Sequence, residues 1–166
     1  MATLGHEDKG KLISYFNEEA KKELEYADDL KRTSSKSDNI VVKLIIDAVS
    51  QDSIKHSKIY EVLSKLIQKP MLISEKESKD VLSDINRHIE EEREAVEELN
   101  RLLKNEALKE GKVLKFLIEM LLRDETYHHA LLVNIYNILV KGLTLEEADI
   151  WEQIWESSLY HGTPGG

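Results

Sequence analysis

Apolar residues recur along this chain at alternating steps of three and four, a spacing that suits long amphipathic helices and little else. Four such seams can be read. The first runs Leu12, Phe16, Glu19, Glu23, Tyr26 and Leu30, and the second Val42, Ile45, Val49, Asp52, His56, Ile59, Leu63 and Leu66. The third runs Ile85, Ile89, Glu92, Val96, Leu99 and Leu103, and the fourth Leu114, Leu117, Leu121, Asp124, His128, Leu131, Ile135 and Ile138. Of only two prolines, Pro70 alone lies in the body of the chain, so little breaks these helices.

The spacing predicts helices over about Glu7–Arg32, from an Asp38 N-cap to Leu66, from a Ser74–Glu77 capping box to Ala107, and from Gly111 to Lys141 and Gly142. Thr144 with Glu147 opens a short fifth helix that reaches Tyr160. The expected fold is all-α: a four-helix bundle over residues 1–142, an amphipathic C-terminal helix over 143–160, and a flexible tail over 161–166. The fifth helix gathers Ile150, Trp151, Ile154, Trp155 and Leu159, a stripe that must cover something; a homodimer contact is the preferred reading.

Composition narrows the function. The formal net charge of −9 disfavours nucleic-acid and membrane partners, because an acidic surface repels phosphate backbones and anionic lipid. The absence of cysteine excludes disulfides, thiolate zinc sites and iron–sulfur centres. No basic-then-apolar leader and no apolar run of membrane-spanning length can be read, so a cytoplasmic protein is expected.

The informative feature is what interrupts the seams. Each is apolar above and below, with carboxylates or imidazoles near mid-height. Burying an unpaired carboxylate costs several kcal/mol, about 3–5 when a partner is missing, so four such interruptions at one level call for a shared cation. The halves also repeat: Asp52-x-x-x-His56 recurs as Asp124-x-x-x-His128, with Glu19 33 residues before Asp52 and Glu92 32 before Asp124. The chain reads as a duplicated helical hairpin.

Di-metal sites in bundles take one Glu from each of two helices and a Glu-x-x-His from each of the other two, because residues three or four apart share a helix face. Glu125-Thr126-Tyr127-His128 matches that pattern. The second helix departs from it: Ser53 stands three before His56, and Asp52, with a shorter side chain, is the available carboxylate.

At these residues the chain resembles the ferritin-like, rubrerythrin-related superfamily. The resemblance is carried by Asp52-Ser53-Ile54-Lys55-His56, His88-Ile89-Glu90-Glu91-Glu92 and Asp124-Glu125-Thr126-Tyr127-His128-His129, with Phe16-Asn17-Glu18-Glu19 and Tyr26 in the first helix. It covers about residues 8–140. It implies a ferritin-like bundle with a long crossover, for which Gln68–Lys79 is the available segment, and a non-haem centre of two iron ions, with manganese or zinc as substitutes. It implies reaction with O2 or H2O2, as in ferroxidases and rubrerythrin peroxidases. It does not imply a full rubrerythrin, because a cysteine-bound iron domain is absent.

The metal ligands expected are Glu19, Glu23, Asp52, His56, Glu92, Asp124, Glu125 and His128. Glu19 and Glu23 compete for one role, with the repeat spacing favouring Glu19. Asp124 is placed to orient an imidazole beside Glu125. Tyr26 is either a hydrogen-bond donor to a ligand or a packing residue, while His88 and His129 read mainly as surface or supporting groups. No catalytic residue is expected beyond the ligands. The leading reading is a di-iron oxidoreductase; the alternatives are a non-catalytic helical interaction module, or an iron store if the chain assembles into a shell.

Overall fold

The computed structural model describes residues 6–69, 75–108 and 110–141. Among them the secondary structure is helical, without strands: α1 (His6–Ser34), α2 (Ile40–Gln68), α3 (Glu75–Leu103) and α4 (Lys112–Lys141), with a 3-10 turn at Glu106–Leu108. The expected fifth helix, the tail and Ser74 of the capping box lie outside the described residues. No described helix is long and apolar enough to cross a membrane.

The chain divides into two compact units at Met71–Leu72. The first holds the antiparallel hairpin α1–α2. Its turn is closed by backbone bonds from Ser35, Lys36 and Ser37 to the carbonyls of Lys31, Thr33 and Ser34. The cap of α2 is Asn39 rather than the expected Asp38: its side chain accepts hydrogen bonds from the backbone N–H of Val41 at 2.9 Å and of Val42 at 3.2 Å. Two otherwise orphaned helix donors are thereby satisfied.

The α1–α2 contact is made of small residues. Ala20, Ala27 and Ser34, spaced by sevens on α1, are buried, as are Ser50, Ser53, Ser57 and Ser64 on α2. The Ser50 hydroxyl donates across the hairpin to the Ala27 carbonyl at 3.0 Å. A serine side chain is short, so that bond requires the two backbones to lie close. The apolar seam expected on α2 is displaced from this contact by one residue, about 100° of helix rotation. Val49, Ile59 and Leu66 stand 40–50% exposed. At the α1 end, Phe16 packs on Tyr60 with ring centroids 6.1 Å apart.

The second unit holds the antiparallel hairpin α3–α4. Here the expected third seam is the one that packs: Ile85, Ile89, Glu92, Val96, Leu99 and Leu103 are all half-buried. On α4 the half-buried stripe runs Ile118, Leu122, Glu125, His129, Leu132 and Tyr136, closing on buried Leu139.

The two hairpins share one register. His56 lies 16 residues after the start of α2 and His128 lies 16 after the start of α4. Glu23 lies 11 residues before the end of α1 and Glu92 lies 11 before the end of α3. The duplication is therefore structural, with Ala20, Ala27, Ser34 and Ser50 answering to Ile89, Val96, Leu103 and Leu122. The expected crossover over Gln68–Lys79 falls partly on residues 70–74, which lie outside the described residues, while 75–79 are helical.

The small seam of the first hairpin has a direct consequence for stability. Ser57 is 2% exposed, so Ser57→Leu should force the helices apart and destabilise this hairpin by about 1–3 kcal/mol. Urea unfolding of the variant measures this; an unchanged midpoint would show that the α1–α2 contact is looser than described.

Candidate metal centre

The second hairpin brings three expected ligands together. Glu92 of α3 faces Glu125 and His128 of α4, and one ligand atom from each lies within 4.8 Å of the others. Glu125 and His128 sit three apart on α4, with Oε2 3.5 Å from His128 Nδ1; the Glu92 Oε1 to His128 Nδ1 distance is 3.9 Å. The carboxylates are largely covered, while the His128 side chain is 52% exposed and forms the open side of the cluster.

Two carboxylates at hydrogen-bonding distance cannot both carry full charge at low cost. The neighbouring Glu125 carboxyl, followed by burial, pushes the Glu92 carboxyl above its ordinary range, and His128 only partly opposes this. Among the described residues neither acid makes an ion pair with a lysine or arginine. On the exposed side of α3, Glu91 is bonded by His88 and Arg87, which hold its carboxyl below the usual range, and Arg93 joins Glu90 to Glu97. His88, engaged by Glu91 at 2.9 Å, is turned to this surface network.

The donor set suits a divalent cation. An ion bonded at about 2.1 Å holds neighbouring ligand atoms about 3–4 Å apart, so a small side-chain adjustment closes the cluster. A cation bound to both would also offset the repulsion between the two carboxylates. Three protein ligands leave open positions, but two metal ions need roughly six.

In the first hairpin the equivalent cluster is thinner. Glu23, rather than Glu19, stands across from His56, with Oε1 3.6 Å from Nδ1. Glu19 pairs with Lys22 at 2.8 Å. Asp52 is 59% exposed and bound to Lys55, one turn along its own helix. Asp124 is likewise exposed, and the structure does not bring it into the Glu92–Glu125–His128 group. Ser53, in the place of Glu125, is buried in the small α1–α2 seam, where a glutamate would not fit. Tyr26 stands exposed. A residue the sequence reading passed over, Tyr60, lies one turn after His56; burial, then Tyr15, Glu19 and Glu23, raise its phenol. Its i+4 spacing from His56 was the available signal. An open groove of about 520 Å3 along α2 is lined by Gln51, Lys55, Lys58 and apolar residues, without a carboxylate or imidazole to hold a metal.

Comparison with protein-family models, with curated proteins and with solved structures gives no match to this chain.

The crowding at Glu92 sets a pH dependence. Its folded pKa lies above the unfolded value near 4.5, so it contributes stability at pH below that value, which is lost as pH rises through the folded pKa. Metal-free Glu92→Gln protein should therefore be more stable than the parent near neutral pH and should lose the decline above about pH 4.5. Thermal unfolding across about pH 4–8 measures this; identical profiles would show that Glu125 does not perturb the Glu92 carboxyl.

Proposed function

We propose that the chain is a divalent-metal protein of the di-iron carboxylate type, with Glu92, Glu125 and His128 as its ligands and O2 or H2O2 as its small-molecule substrate. The observation that carries this reading is the convergence of two unpaired carboxylates and an imidazole on one point between α3 and α4. The Glu-x-x-His spacing of Glu125 and His128 and the sequence resemblance to ferritin-like proteins favour iron over a cation held by oxygen alone.

In this reading the chain's residues do three things. Glu92 reaches the cation from α3, across the hairpin from the other two ligands. Glu125 and His128, one turn apart on a single helix, hold that cation at fixed spacing, and the half-buried Ile89, Val96 and Leu122 around them limit water. When bound, a pair of ferrous ions supplies the two electrons that, with two protons, reduce one H2O2 to two water molecules.

Anaerobic ferrous titration of the full chain tests the proposal. The parent should bind iron, and at a free iron concentration one hundred times the Kd the gain in stability should be about 2.7 kcal/mol. Glu125→Ala combined with His128→Ala should weaken binding by at least tenfold, of order the loss seen when supporting ligands are removed. Equal iron affinity in parent and double variant would defeat the assignment.

A further inference from the structure

We infer that the metal centre is completed by a second copy of this chain, whose C-terminal hairpin contributes its own Glu92, Glu125 and His128. This rests on the metal-binding reading above. One hairpin offers three ligands, and the dinuclear pattern requires a Glu from each of two helices and a Glu-x-x-His from each of two others. A two-fold axis facing two copies of α3–α4 doubles Glu92 and doubles Glu125-x-x-His128, which reproduces that pattern without further residues. Four carboxylates then balance two divalent cations.

The first hairpin is a poorer source of the missing ligands. Its counterpart of Glu125 is Ser53, 4% exposed and committed to the α1–α2 packing. Its Asp52 is engaged by Lys55 and its Glu19 by Lys22. The open side of the α3–α4 cluster also carries what a self-complementary contact needs. On α4, Leu121 lies two turns before His128 and Leu131 one turn after it, and they are 46% and 36% exposed. Two negatively charged clusters repel in the absence of metal, so the association is linked to the cation: each metal ion favours the dimer, and the dimer raises affinity for metal.

Sedimentation and metal analysis of the full, metal-free chain test this, with manganese(II) in air and ferrous iron under anaerobic conditions as probes. The expected result is one ion per chain, two per dimer, with dimerisation at least tenfold tighter in the presence of metal. Leu121→Glu, at an exposed position, should weaken that association at least tenfold while leaving helical content unchanged. His56→Ala should leave the stoichiometry as in the parent. Two ions bound by a monomer, one of them lost in His56→Ala, would overturn the inference by showing that the chain completes its own centre. One ion bound per chain with no change in association would also overturn it, while leaving the metal-binding reading intact. Failure to bind either metal would remove that reading and this inference with it.

Discussion

The contact between the Glu92 and Glu125 carboxyl groups is the constraint on which this account depends. Two acids placed face to face between α3 and α4, with His128 beside them, raise the pKa of Glu92 and cost stability once both ionise. Elsewhere on α3, Asp84, Glu90, Glu91 and Glu97 are matched by Arg87, Arg93 and His88. Two carboxylates left facing each other in a half-buried position form a local conflict, and such conflicts collect at functional sites. The proposed metal ion resolves it by placing a positive charge between the two carboxylates.

The two hairpins show how one register can carry two different interiors. In α1–α2 the contact is built from alanine and serine, close enough for Ser50 to reach the Ala27 carbonyl. In α3–α4 the same positions hold Ile89, Val96, Leu103 and Leu122, with Glu125 where the other hairpin has Ser53. Ser53 is therefore explained by packing. A seam of small residues excludes a glutamate side chain, and the carboxylate–imidazole arrangement of the first hairpin is reduced to Glu23 and His56.

Much of this organisation was legible in the sequence, because helical periodicity and the Asp-x-x-x-His repeat are local signals. Helix existence, the third seam and the convergence of Glu92, Glu125 and His128 follow from them. Three features were not legible. The face by which α2 meets α1 is marked by serines, which periodicity of apolar residues passes over, so the expected seam lies one position off. The choice of Glu23 over Glu19 depends on the lengths of the interhelical turns, five residues between α1 and α2 against eight between α3 and α4. The pairing of Asp52 with Lys55 is a side-chain preference along one helix face, where a neighbouring cation competes with any ligand role.

Anomalous diffraction from crystals of the full chain grown with manganese(II) or ferrous iron tests the central claim most directly. The account predicts a metal peak at bonding distance from Glu92, Glu125 and His128. A peak that avoids all three residues, or crystals saturated with metal that show no peak between α3 and α4, would contradict it.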